Sequence, residues 1–343
     1  MVKRNGRDKM KNILKALLIT AFLVSFGAAE TKAVISDLEG DVFVKKVNDA
    51  ELNIAEIDME LADGDIIITK KGGKAEIVFD ENNSMITLLE NTQLVLTKME
   101  NTRAEQNTFI ELISGGIVNI INKTAGIKKT FEVKTPFAVA AVKGTQFGVE
   151  ALEKESNFGV FEGEVAVNGI DASGNPLEET FVTENNECHI AQNQRSYKPE
   201  KIRNRMQKVF GEAHKKSLAN AALYAKLKKS GDYEKIKAAR RVMVLAGIKE
   251  FIKSNPDWKS KLTPEQMARI HLVLKSERSS DDIRNFKEVL KKYPSLIEKY
   301  RHMQIERLGK LKDFKERGLS KDFLEKRQRM QKMSRPRPGP AKK

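Results

Sequence analysis

From Val34 to about residue 199 the chain reads as short apolar runs with period two, separated by Gly, Asn and Asp. Val42–Val44, Ile66–Ile68, Ile77–Phe79, Ile86–Leu88, Leu94–Leu96, Phe109–Ile113 and Ile117–Ile121 show it, and Phe131–Val133, Phe147–Val149, Phe158–Phe161 and Val165–Val167 continue it. Alternation over a few residues between turn formers is the signature of half-buried strands. About a dozen short strands with no helical stretch predict an all-β unit, a sandwich, roll or short solenoid. A weak internal repeat points the same way. Gly40-Asp41-Val42-Phe43-Val44 recurs as Gly64-Asp65-Ile66-Ile67-Ile68 and as Gly163-Glu164-Val165-Ala166-Val167, and Gly116-Ile117-Val118-Asn119-Ile120 keeps the glycine and two apolar positions. Glycine accepts the positive φ of a chain reversal, and the alternating residues then enter a shared core. Uneven spacing of the copies argues against a regular repeat protein.

After Lys198-Pro199 the period becomes helical. A helix is expected over 200–229, with Ile202, Met206, Val209, Ala213, Leu218, Ala221, Ala222 and Leu227 as its apolar side. Ser230-Gly231-Asp232 breaks it, and a second helix over 233–253 carries Ile236, Met243, Val244, Ile248, Phe251 and Ile252. Later starts have caps: Thr263 before Pro264, Ser279 before Asp281 and Asp282, Pro294-Ser295 leading to Glu298, and Ser320 after the stop at Gly318. The tail 334–343 is too rich in proline and charge to fold and should be extended.

Charge divides the chain at the same place. The net +15 is composed of −13 over residues 34–199, +23 over 200–343 and +5 over 1–33. A net of about 2–8 suffices to keep a small domain soluble. The helical excess therefore suits an anionic partner for residues 200–343: lipid head groups, acidic glycans, nucleic acid, or the acidic β part itself. The first fifteen residues hold six Lys or Arg against Asp8, and the apolar run Ala16–Ala29 follows. This reads as a signal peptide over 1–29, with Ala33 as an alternative cleavage point and Met10 as an alternative start. The expected location is the periplasm or outside the cell. An uncleaved segment anchoring the chain to the inner membrane is the competing reading, although fourteen apolar residues fall short of the ~18 a spanning helix needs. The resulting division is signal peptide 1–29, β domain 30–199, basic helical region 200–333 and tail 334–343.

Catalytic signals are absent. Cys188 is the only cysteine, so no intramolecular disulfide forms, and beside His189 it reads as a strand residue rather than a nucleophile. His189, His214, His271 and His302 have no ligand at a recognised metal spacing, and HExxH, GxSxG, P-loop and CxxC motifs are missing. Glu56, Asp58, Glu60, Asp63 and Asp65 lack the order of a calcium loop and read as a solvated strand edge and turn. The expectation is a non-enzyme with no metal, no cofactor and no small-molecule substrate.

The most specific stretch is Thr135-Pro136-Phe137-Ala138 followed by Gly144-Thr145-Gln146-Phe147-Gly148-Val149 and then Gly163-Glu164-Val165. Together with Gly40-Asp41-Val42, Asp63-Gly64-Asp65-Ile66 and Ser114-Gly115-Gly116, it resembles a FecR-type domain from about Val34 to Tyr197. The signature positions Thr135, Pro136, Ala138, Gly144, Thr145, Phe147, Val149, Gly163 and Val165 read as structural. Pro136 suits a strand start or edge, Gly144 a bend, Thr145 the freed backbone groups, and Phe147 and Val149 the core. The resemblance implies an envelope-facing sensing or protein-contact module; the family's namesake regulators relay a transporter's signal to a sigma factor. No cytoplasmic anti-sigma segment precedes the apolar run here, and helices stand in place of the usual C-terminal signalling portion. The expected function is thus binding, scaffolding or sensing in the envelope, the β module recognising a protein or glycan. The alternatives are a polyanion binder acting through its basic helices and a signal-anchored sensor.

Overall fold

A computed structural model of the chain describes residues 33–47, 52–79, 84–101, 105–123, 126, 128–171, 175–191, 194, 197–203, 206–254 and 288–294. The N-terminal apolar run, the caps at Thr263, Ser279 and Ser320, the helix expected after Pro294, and the tail lie outside the described residues. Alternation from Val34 onward produces β1 (Ala33–Glu39), β2 (Val42–Lys45), β3 (Asn53–Ile54), β4 (Glu60–Leu61), β5 (Ile66–Thr69), β6 (Lys74–Phe79), β7 (Ser84–Leu88) and β8 (Gln93–Asn101). Then come β9 (Glu105–Ile120), β10 (Lys128–Lys134), β11 (Ala138–Val142), β12 (Gln146–Ala151), β13 (Glu155–Glu162), β14 (Glu164–Ile170), β15 (Pro176–Thr183), β16 (Asn186–Ala191) and β17 (Glu200–Lys201). The two-part expectation, all-β and then helical, is met. Among the described residues, no helix is long and apolar enough to cross a membrane.

The strands form one continuous ladder folded into two layers. The first layer runs β4-β1-β6-β7-β9-β12-β13-β16-β17. The second runs β3-β2-β5-β8-β9-β10-β11-β14-β15. β9 belongs to both. Its start pairs with β8 and, in parallel, with β10; its end pairs with β7 and β12. The two strands expected at Phe109–Ile113 and Ile117–Ile121 are therefore one strand bent at Gly115, where φ is +90°. Inward side chains of both layers meet in one core. Phe131 of β10 lies edge-on to Phe79 of β6 and to Phe147 of β12, each with centroids 6.3 Å apart, and Phe131 and Phe147 are fully enclosed.

The repeated Gly-Asp/Glu stations now have a physical meaning. Gly40, Gly64 and Gly163 sit where the chain leaves the first layer for the second, each with positive φ. Asp58, Asn91 and Asn185 do the same work at other crossings with φ of 66°, 56° and 62°, since their short polar side chains tolerate the left-handed region.

The helical part departs from the expectation at its start. Glu200 and Lys201 do not begin a helix but pair with β16 as β17, because Glu187 and Asn186 offer them a free strand edge. A single π-helical turn, Met206–Phe210, leads into α1 (Gly211–Ser230), and α2 (Asp232–Ser254) follows. The break is where it was expected, with Gly231 at φ +72° and its N–H donating to Lys228 O at 3.2 Å. The buried side differs in detail. Phe210, Ser217 and Tyr224 are buried, whereas Val209 and Ala222 are exposed.

Two glycines of similar φ separate backbone strain from crowding. A Cβ at Gly115 would lie 2.5 Å from Thr92 Cα, while one at Gly72 (φ +70°) would meet nothing within 4 Å. Gly72→Ala should therefore cost about 1 kcal/mol and Gly115→Ala roughly 2–4 kcal/mol. Urea unfolding of the two variants measures the difference.

Candidate functional site: where the helices meet the sheet

The outer face of the first layer is unusually flat. Gly148 of β12 lies opposite Gly159 of β13 and Val118 of β9, and Gly116 of β9 lies opposite Glu150. Phe210 and Met206 fill the trough these glycines leave: a Cβ at Gly116 or Gly148 would stand 2.7 Å from the Phe210 ring, and one at Gly159 would stand 2.5 Å from Met206 Cγ. Val118, Met206, Phe210 and Ala213 form a separate apolar cluster there, with Leu89, Phe161 and Ile202 at its border. Burying a side chain of this size contributes about 1.5–3 kcal/mol, so this cluster anchors the helical part.

Polar contacts extend the seam along α1 and α2. Ser217 Oγ donates to Ala213 O at 2.9 Å, so the Thr87 hydroxyl, 2.6 Å from Ser217 Oγ, is the donor in that pair. Asn220 Nδ2 donates to Glu76 Oε1 at 2.8 Å, and Lys74 Nζ lies 3.0 Å from the same oxygen. Burial raises the Glu76 carboxyl above its ordinary value of 4.5, although Lys74 and Asn220 pull it down. Beside it, Asp37, Glu39, Lys74, Glu76, Lys216 and Asn220 line a cleft of ≈ 250 Å³. That is below the ~300–1,000 Å³ of ordinary ligand pockets. At the far end Asp58 takes two bonds from Arg240 Nη1, both 2.9 Å, and one from the Tyr233 hydroxyl at 2.7 Å. Burial, then the charge of Asp58, raises the Tyr233 hydroxyl. Tyr233 packs edge-on to Tyr224 at 4.9 Å, with Lys228 Nζ 4.5 Å over its ring. His214 stacks on Phe161 at 4.5 Å and its Nε2 lies 2.5 Å from Gln146 Oε1.

These contacts correct the reading of the acidic run. Asp58 and Asp65 are not a solvated edge; the side chains are 11% and 1% exposed. Asp65 pairs with Lys46 at 2.7 Å and accepts the N–H groups of Val47 and Ala62, while Asp63 accepts Met99 N–H. The decisive partner of Asp58 lies 182 residues away, beyond what local sequence can reveal.

The signature residues lie within the β layers. Thr135 is fully enclosed and its Oγ1 bridges both backbone groups of Ala138, at 2.9 and 3.0 Å, with Pro136 in the turn between β10 and β11 rather than at a strand start. Gly144 has φ +139°, and Thr145 Oγ1 donates to Glu164 O at 3.0 Å, beside Gly163. Phe147, Val149 and Val165 are fully buried. Cys188 is buried in β16, and burial with the charge of Glu187 pushes its thiol up to about 12, which suppresses the thiolate.

The second layer's outer face is divided: at one end Phe43, Ile66, Ile68, Val95 and Ile113 are buried in a cluster of their own, and the β10-β11-β14-β15 end is different. Neighbouring strands present Glu132 and Lys134 of β10, Val139 and Ala141 of β11, Ala166 of β14 and Phe181 of β15. All are partly or largely exposed, and Phe181 is 54% exposed.

Residues 65–166 match the sequence model of the family described as FecR protein; the β part carries a FecR domain. Two solved structures of a putative anti-sigma factor from Parabacteroides distasonis ATCC 8503 are similar to the chain. Each has 19% identity and a TM-score of 0.34, covering 42% of this chain and 62% of the other. The chain thus spans about three fifths of the length of these solved structures. No curated protein matches it.

Burial lowers the His214 imidazole from its ordinary 6.5, with the Glu162 charge pulling the other way. The unfolded chain then binds more protons than the folded one just below 6.5. The contribution of His214 is complete above pH 6.5 and is lost as pH falls below that value toward its folded one. Urea midpoints of the full chain should therefore fall between pH 7.5 and 5.5 more steeply than those of His214→Gln.

Proposed function

We propose that this FecR-domain chain is a non-catalytic sensing and contact protein of the bacterial envelope, recognising a protein or glycan through the exposed β10-β11-β14-β15 end of its second layer. The observation that carries the reading is the division of faces. The π-turn and α1 lie over the first layer's outer face at β7, β9, β12 and β13, whereas Val139, Ala141, Ala166 and Phe181 leave a half-apolar surface at one end of the second layer. Much of that surface falls inside the segment matched by the FecR model, whose regulators face the envelope. Small side chains around an exposed aromatic suit a flat partner surface or a sugar ring. The buried, inert Cys188 and the small charged cleft are consistent with a binding rather than catalytic role. A location in the periplasm or outside the cell is part of the proposal.

A second reading has its own observation. Lys208, Lys215, Lys216, Lys226, Lys228 and Lys229 are all exposed in the π-turn and α1, a basic surface suited to a polyanion. Photo-crosslinking separates the two. A crosslinker at position 139 of the full chain should give a discrete adduct with an envelope component, largely retained between about 50 and 200 mM salt and lost with Phe181→Glu. Adducts that form only from position 215, and disappear over that salt range as counterion release requires, would replace the recognition reading with the polyanion one.

A further inference from the structure

We propose that Glu187, His189 and Glu200 form a binding site for a divalent transition-metal ion of the zinc class, placed where the chain leaves the sheet for its helices. Strand alternation puts Glu187 and His189 on one face of β16, and the register sets Glu200 of β17 directly opposite Glu187. His189 Nε2 lies 3.4 Å from Glu187 Oε1 and 3.7 Å from Glu200 Oε1, and one ligand atom from each of the three residues falls within 4.8 Å of the others. Ligand atoms ~2.1 Å from a tetrahedral ion stand about 3.4 Å apart, so the cluster already has nearly that spacing.

The surroundings fix the ring for this task. Asn157, opposite His189 in the register, directs its amide nitrogen at Glu150 Oε2 (3.2 Å) and Glu155 Oε1 (3.4 Å). Its Oδ1 is therefore the acceptor for His189 Nδ1, 2.8 Å away, and His189 Nδ1 carries the proton. Nε2 then faces two carboxylate oxygens, an arrangement that needs either a cation between them or a second proton on the ring. Such an outer partner on the second ring nitrogen is what metal-binding histidines use.

Glu187 supplies an independent sign. It is 3% exposed, its Oε1 accepts the Arg203 N–H at 3.3 Å, and its Oε2 is buried with no hydrogen-bond partner. A buried carboxylate with so few partners is costly, and a cation beside Oε1, the oxygen nearer His189 Nε2, would offset its charge. The Arg203 guanidinium lies 3.4 Å from Glu200 Oε2, not the Oε1 that approaches His189, and its side chain is 64% exposed; a solvated pair of this kind contributes little. Imidazole with carboxylates selects zinc-class ions over calcium or magnesium, which prefer all-oxygen shells. Half-exposed His189 and Glu200 leave a path for entry and a fourth position for water. The ion would fasten β17, just ahead of Met206 and its glycine trough.

The rival is a protonated His189 bridging two carboxylates with no metal. Calorimetric titration of Zn²⁺ into untagged, chelator-stripped full chain, with Co²⁺ absorption spectra in parallel, decides between them. The proposal expects one ion per chain and tetrahedral Co²⁺ bands. Glu200→Gln and His189→Gln should each weaken binding at least about tenfold, Asn157→Ala about 10–100-fold, and Arg203→Ala less than about threefold. Glu200 is exposed enough for its variant to keep the fold, which an unchanged unfolding midpoint in chelator verifies. No saturable binding by the wild type, or affinity unchanged in a folded Glu200→Gln, would overturn the site.

Discussion

A chain that alternates between two β layers must reverse direction within a few residues at every crossing, and left-handed backbone is the short route. That geometry costs an ordinary L-residue roughly 1–2 kcal/mol. Gly40, Gly64, Gly115 and Gly163 avoid the penalty, and Asp58, Asn91 and Asn185 moderate it. The layers, their shared strand β9 and the core around Phe131 and Phe147 all follow from these crossings holding. Asp58 shows how the constraint reaches outward. The residue that turns the chain from β3 to β4 also presents the carboxylate that receives Arg240 and Tyr233.

The halves carry opposite net charge, yet charge alone does not dock them. Most of the lysines of α1 point away from the sheet, and exposed ion pairs contribute little. The seam rests on Phe210 and Met206 seated on Gly116, Gly148 and Gly159, a fit that any side chain at those glycines would spoil. Thr87, Glu76 and Asp58 then set the direction of α1 and α2 along it. Among the described residues, α1 therefore lies over the first layer, while the β10-β11-β14-β15 end of the second layer keeps a partly exposed apolar surface, and the proposed recognition follows from that difference.

Much of this was legible in the sequence because it is local. Period-two runs located the strands, the Gly-Asp stations located three layer crossings, and Gly231 located the break between helices. What escaped depended on distant partners. β9 looked like two strands because Gly115 bends a strand without ending it. The glycines of the trough carry no outward sign of the ring that covers them. Val209 was preferred to Phe210 on the apolar side, since periodicity alone could not say that the first turn is π-helical. Glu187 and His189 stand two apart, which on a strand means one shared face. That signal was available, but Glu200 joins them only through the pairing of β17.

The central claim is that the helical part is seated on the first layer's outer face. The most direct measurement is disulfide formation in the full-length Thr87→Cys/Ser217→Cys variant, whose native hydroxyl oxygens are 2.6 Å apart. The native Cys188 is buried with a strongly raised thiol and will not compete. The account predicts rapid intramolecular crosslinking under mild oxidation, with α1 then held to β7 during protease challenge. Thiols that stay reduced in the folded protein, or that pair only between molecules, would contradict it.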